Sequence, residues 1–382
     1  MTEEATGGPR PQAAAARNGD LTIGVEEEYL VLDPATMAPA LQGELLVGLA
    51  AERLGDAIHT ELQRAQVEVN TPVCGTLDEV RGELRRLRRE VSVVAASAGS
   101  VIAASGTHPF ASWREHGRIT DDDTYQRIER DYQQLAREQL ICGCHVHVGI
   151  CDPELAIQVM NRARPWLSVV LALAANSPFW GGVDTGYASF RTEVWRRWPT
   201  AGTPDIFEDR AEFDRLVETL TATGSIDAPA RIYWDIRPSH RFSTLEFRVT
   251  DVCLSVDEAV MVAGLVRGLA GACSAEARAG TPLPRPRPEL LRAATWRAAR
   301  YGVEADLVDV LCGQARPAAE QVDALLRFLR PTLEDASEWD EVSGLVHGTL
   351  GRGTGSSRQR QAHQRAGKFE DVMDLIVAET LR

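Results

Sequence analysis

Lysine is almost absent from this chain. Lys368 is the only one, against 40 arginines in 382 residues. That excludes a G-x-x-x-x-G-K-[ST] phosphate loop and makes a Schiff-base lysine a poor prospect. Cysteine is sparse and odd in number, seven residues scattered along the chain, which is no disulfide framework. No run of about 18 apolar residues occurs, so no membrane span is expected. Met1 to Asp20 is rich in Ala, Gly and Pro and has no apolar stretch long enough for a signal peptide. A cytoplasmic, reducing location is the expectation. The net charge of −14 speaks against nucleic acid as a general partner, so an anionic ligand would need a local positive patch or metal ions.

What is present is globular in character, 44% hydrophobic and 25% charged. Residues 1–19 read as a disordered leader, and 20–382 as a single domain. The pattern predicts a strand over Leu21–Leu32. Glu79–Ala104 reads as a long helix with an Arg-rich outer face (Arg81, Arg85, Arg86, Arg88, Arg89), ending in a strand-like tail. A strand over Leu140–Ile150 precedes a buried helix over Pro153–Ala175 broken at Pro165. Residues 176–206 read as a long functional loop, and Ile232–Ile236 and Thr244–Thr250 as a hairpin. Val256–Arg278 is a helix. Pro282–Pro288 is the best internal boundary, 289–347 is helical, Gly348–Ser357 is a Gly-rich loop and Phe369–Leu381 a final helix. Strands first and helices afterwards favour an α+β fold with an antiparallel or mixed sheet.

Thr244-Leu245-Glu246-Phe247-Arg248-Val249-Thr250 is the most informative segment. Leu245, Phe247 and Val249 alternate with Thr244, Glu246, Arg248 and Thr250, so one face of the strand is core and the other ionic. Two further segments repeat the design. Glu26 and Glu28 share a face in Gly24-Val25-Glu26-Glu27-Glu28-Tyr29, while Glu27 interrupts the apolar face. Such a pair is tolerated if one carboxyl is protonated, the site is wet or a cation lies between them; a solvated acidic edge strand reads equally well. His145 and His147 project from a face cleared by Gly143 and Gly149, with Cys142 and Cys144 on the opposite, core side. Glu68 shares a face with Gln66 and Asn70, but Glu61 has the opposite parity and reaches the same site only across a bulge or break. Tyr233, Asp235 and Arg237 alternate with Ile232, Trp234 and Ile236, and Arg237 and Arg248 suit carboxylate or phosphate. Gly351 to Arg360 suits phosphate or is a flexible surface loop. Many glutamates, one or two histidines, several arginines and no evident nucleophile–base pair favour magnesium or manganese over zinc, and point to nucleotide phosphates.

These residues resemble the second type of glutamate–cysteine ligase family, the YbdK-like carboxylate–amine ligases. The resemblance rests on five ordered motifs: Gly24-Val25-Glu26-Glu27-Glu28, Cys144-His145-Val146-His147-Val148-Gly149, Asn176-Ser177-Pro178-Phe179-Trp180, Trp234-Asp235-Ile236-Arg237-Pro238 and Thr244-Leu245-Glu246-Phe247-Arg248. It implies a glutamine-synthetase-like core, a curved and mainly antiparallel sheet forming an active-site funnel with helices on its outer face. It implies ATP and Mg2+ or Mn2+ as cofactors, with Glu26, Glu28, Glu61, Glu68, His147 and Glu246 around the metals and Arg248 on phosphate. Arg191 is expected at the substrate or nucleotide wall, and Arg237 is expected to bind the nucleotide, as are Arg358 and Arg360 in a recurring C-terminal Gly/Arg segment. The implied chemistry is an acyl phosphate formed from a carboxylate and ATP, then attacked by an amine, with glutamate and cysteine as the leading pair. The partners are small molecules, and a homo-oligomer is compatible with the resemblance. Two other readings are a metal-dependent hydrolase using His145 and His147, and a metabolite-binding protein that retains the fold without turnover.

Overall fold

Alternation of apolar and polar residues builds one antiparallel sheet of seven strands. These are β1 (Ile23–Leu32), β2 (Ile58–Thr60), β3 (Gln66–Asn70), β4 (Val101–Ala103), β5 (Gly143–Gly149), β8 (Ile236–Pro238) and β9 (Thr244–Asp251), in the order β2-β3-β1-β5-β9-β8 with β4 also paired to β1. Two small hairpins, β6 (Phe179–Trp180) with β7 (Val183–Asp184) and β10 (Leu307–Asp309) with β11 (Gln314–Arg316), lie outside it. The computed structural model describes residues 21–382, so the predicted leader over 1–19 lies outside the described residues.

Ile23, Val25, Cys144, Val146, Val148, Leu245 and Phe247 turn one face of the sheet into a buried apolar surface. Against it packs the helix Val256–Arg278, started by a reciprocal Ser255–Glu258 capping box. That helix is long and apolar enough to cross a membrane by composition, but 83% of its apolar window is buried in the protein, as befits a core helix. The apolar cluster around it includes Leu325, Leu329 and Val342, beyond Pro282–Pro288, so the core is continuous across that connection.

The α+β, antiparallel expectation holds, and several local expectations are corrected. Arg88 is not on an outer face. It is 1% exposed and forks onto Glu27, whose carboxylate also accepts from the Tyr29 hydroxyl at 2.6 Å. The glutamate that interrupted the apolar face of β1 is thus half of a buried ion pair. Residues 232–235 do not join a strand, since β8 begins at Ile236. The alternation of β9 is broken too: Cys144 faces Thr250 while Val146 faces Phe247, so three residues of β9 oppose two of β5. Residues 289–347 contain the β10–β11 hairpin between helices. The Gly-rich segment is no loop. It joins the helices Trp339–Arg352 and Gly355–Ala366, with Gly353 at φ +90° and Gly355 packed so closely on the Asn176 side chain that a Cβ would not fit.

Candidate active site

Register places the ionic residues in rows across the other face of the sheet. His147 lies opposite Gly24 on β1 and Glu246 on β9, and Glu246 opposite Arg237 on β8. Glu26 lies between His145 on β5 and Asn70 on β3, and Glu28 opposite Glu68. Glu61 follows the end of β2, in the turn that leads to β3. The parity conflict is solved by chain reversal: the strand ends at Thr60, and Glu61 swings beside Glu28 and Glu68. Among the described residues, three groups bring potential ligand atoms within 4.8 Å of one another: Glu26–His147–Glu246, Glu26–Glu68–His145 and Glu28–Glu61–Glu68. All six residues expected around metals therefore converge, and His145 joins them.

The electrostatics divide the cluster. Glu246 is 3% exposed and pairs with Arg248 and, at 2.8 Å, with Arg237. Burial raises its carboxyl pKa, but the two guanidinium charges outweigh that and hold it far below the usual range. Burial likewise works against ionised Glu26, and the imidazoles of His145 at 3.2 Å and His147 at 3.1 Å more than offset it. His147 is raised, since contact with Glu26 outweighs its burial, whereas burial and then Arg248 lower His145. Glu61 and Glu68 form no ion pair with any described cationic side chain. Burial, reinforced by Glu28, pushes Glu61 up to about 8; burial and then Glu26 push Glu68 well above the carboxylate range. Like charges in a poorly solvated site behave this way until a cation arrives.

The cluster separates two spaces. The outer chamber, about 900 Å³, is bounded by Gly24, Asn70, Val73, His147, Arg237 and the β8–β9 hairpin residue Phe242. The inner one, about 190 Å³, is bounded by Glu28, Glu61, Gln139, His145, Arg191, Trp195, Trp198 and Tyr233. Glu26, Glu68, Tyr125, Arg231 and Arg248 border both. Arg248 stacks its guanidinium on Trp195 at 5.8 Å.

Arg237 and Arg248 thus join the cluster, and Arg191 reaches it only from the inner side. Arg358 and Arg360 do not join it. Arg358 pairs with Glu379 at 2.7 Å and Glu258 at 3.6 Å, while Arg360 holds Asp184 and the Tyr187 carbonyl. Their segment braces the Asn176 loop instead of facing either chamber. The contribution of Gln139 left no signal in the sequence: it sits just ahead of β5 with no periodic partner.

Comparison with known proteins agrees with this architecture. The glutamate–cysteine ligase of Francisella tularensis, solved in complex with AMP, shares the fold with a TM-score of 0.71 at 12% identity, over 94% of this chain and 88% of that one. A Frankia alni protein named as a glutamate–cysteine ligase 2-2 is 43% identical over 376 residues, 95% of this chain and 97% of its own. A Frankia casuarinae protein of the same designation is longer: it is 44% identical over 361 residues, 94% of this chain but 41% of its own length. The protein is an ATP-dependent carboxylate–amine ligase. Residues 22–375 match the sequence profile of glutamate–cysteine ligase family 2, and the chain belongs to that family.

Proposed function

We infer that the outer chamber takes ATP, the inner chamber takes an amino-acid substrate, and the shared wall is where they react. The observation that carries this reading is the two-chamber division itself, with Glu26, Glu68 and Arg248 common to both. Only the outer space has the size of a nucleotide site. The names of the relatives point to glutamate as the acid and cysteine as the amine.

A carboxylate oxygen of the acid attacks the γ-phosphorus, the bond to ADP breaks, and an acyl phosphate forms. The amine nitrogen then attacks the acyl carbon, loses a proton and expels inorganic phosphate. Arg248, fixed by Glu246 and Trp195, is positioned to stabilise charge on the transferred phosphoryl oxygens, and Arg237 holds Glu246 from the other side. No protein nucleophile is required. The half-buried Glu61 and Glu68 carboxyls, unpaired with any described cationic side chain, fit a divalent cation such as magnesium or manganese. Glu28, Glu61 and Glu68, with Glu26, His145, His147 and Glu246 alongside, would hold such ions. When bound, they supply positive charge against the phosphate oxygens. Each group containing an imidazole has one histidine and two glutamates, a donor set poorer in nitrogen than a zinc hydrolase site.

The test is ADP release from ATP and magnesium across a panel of acids and amines, beginning with glutamate plus cysteine. Release that requires both an acid and an amine is expected. A folded, metal-binding protein that releases no ADP with any pair would overturn the reading.

A further inference from the structure

Behind the turn that carries Glu61 lies a third cavity. It holds about 380 Å³ and is bounded by Gln63, Arg64, Trp113, Arg114, Arg118 and Arg137. It shares no lining residue with either chamber. Four arginines around one cavity stand out in a chain of net charge −14. Two of them have partners: Arg64 pairs with Glu44 and Arg137 with Glu129, each at 2.9 Å. Arg114 and Arg118 pair with no described carboxylate. Arg114 lies over the Trp113 ring at 4.6 Å, and Arg118 donates to the adjacent Gly117 carbonyl at 2.6 Å.

The floor of the cavity is polar and incomplete. Gln63 is 0% exposed; its Nε2 donates to the Ala136 carbonyl at 3.2 Å, and its Oε1 has no hydrogen-bond partner. A buried acceptor is costly to leave unmet. Guanidinium groups match phosphate oxygens as a fork, and the Gln63 oxygen asks for a donor. The ligand that satisfies both is an anion that also carries a hydroxyl, and the volume suits a small molecule.

The backbone links this cavity to the active site. The Arg64 N–H donates to the Arg118 carbonyl at 2.8 Å, and the Thr120 N–H to the Leu62 carbonyl at 3.0 Å. Thr120 Oγ1 donates to the Glu61 carbonyl at 2.5 Å. On the helix Asp123–Tyr132, Gln126 borders the cavity, while the neighbouring Tyr125 borders both chambers and donates to the Thr60 carbonyl at 2.8 Å. An anion that draws Arg118 inward therefore pulls on the segment that fixes Glu61.

We propose that this cavity is an effector site for a hydroxyl-bearing phosphomonoester, and that its occupancy is transmitted to the Glu61 turn. Binding there is independent of the ligase reading; only the effect on turnover rests on it.

The experiment uses glucose 6-phosphate as the probe, with glucose, which lacks the charge, and sulfate, which lacks the hydroxyls, as controls. Calorimetry at constant ionic strength, without ATP or metal, reads binding to the full chain and to its Arg114→Gln/Arg118→Gln variant. ADP release at saturating magnesium reads the KM for ATP. The wild type should bind the probe about tenfold or more tightly than either control, and the variant should lose about tenfold or more, the scale of charge-assisted hydrogen bonds. The bound probe should shift the wild-type KM for ATP by about fivefold, reaching a limit at saturation. The variant should show no such shift, with its basal ADP release within about twofold of wild type. Equal binding by the variant places the probe elsewhere, and sulfate binding as tightly as the probe means an adventitious ion only; either overturns the proposal. Binding that leaves the KM for ATP unchanged overturns the effector role. If the double variant does not fold, Arg114→Gln alone is read in the same way. Arginine-dependent binding by a protein that releases no ADP with any substrate pair would uphold the site and refute the ligase reading instead.

Discussion

Replacing Arg88 with methionine should unfold much of this protein's margin of stability without touching the site. Arg88 donates to Glu27 from Nε at 2.9 Å and again from Nη2, and to the carbonyls of Cys253 at 2.9 Å, Thr380 at 3.1 Å and Leu254 at 3.3 Å. It thereby ties β1 to the end of β9 and to the last helix, Phe369–Thr380. Methionine fills a similar volume but leaves a fully buried carboxylate with only the Tyr29 hydroxyl. Breaking one side of a buried ion pair costs about 3–5 kcal/mol, a large part of the roughly 5–15 kcal/mol that holds a typical domain folded. Adding five hydrogen-bond energies would give more, but they share one guanidinium and are not independent. The double variant Glu27→Leu/Arg88→Met removes both charges and should recover most of the loss, because an apolar replacement of a buried pair is often neutral. Urea unfolding followed by circular dichroism and tryptophan fluorescence measures both. A single variant that costs less than about 1 kcal/mol, or a double variant no better than the single, would refute the reasoning.

Three further outcomes are expected. Glu246→Gln should keep its circular dichroism spectrum and lose at least about a hundredfold in ATP turnover, since the arginines then lack their counter-charge; full turnover would remove Glu246 from the site. Stability should fall in acid through His108, which is buried and neutral, with Nε2 2.8 Å from the Met37 carbonyl and Nδ1 accepting from the Ala111 N–H at 2.9 Å. Burial lowers its pKa from 6.5 to about 4, so the unfolded chain binds the proton first; stability is intact above pH 6.5 and is lost progressively towards pH 4. The loss is about 2 kcal/mol by pH 5, and a His108→Gln variant with an unchanged acid slope would refute the assignment. Arg358→Ala should leave the KM for ATP within about twofold, because Arg358 is engaged by Glu258 and Glu379 away from both chambers. A tenfold rise in that KM would restore the nucleotide role expected from the resemblance.

Alternation in three short segments was enough to say which side chains share a face, because side-chain direction in a strand repeats every two residues whatever the strand pairs with. That is why Glu26, Glu28, His145, His147, Glu246 and Arg248 were legible as one ionic surface, and why Cys142 and Cys144 were legible as core. The ordered motifs carried the family. Tertiary structure decided everything that depends on a partner remote in sequence. Glu27 read as an interruption until Arg88, 61 residues away, was found beside it. Glu61 had the wrong parity until the turn after β2 reversed the chain. The Gly-rich segment looked like a phosphate loop because glycine permits tight turns and close approach alike, and only packing shows that Gly355 is there to admit Asn176. The two chambers exist only once distant elements enclose the same space.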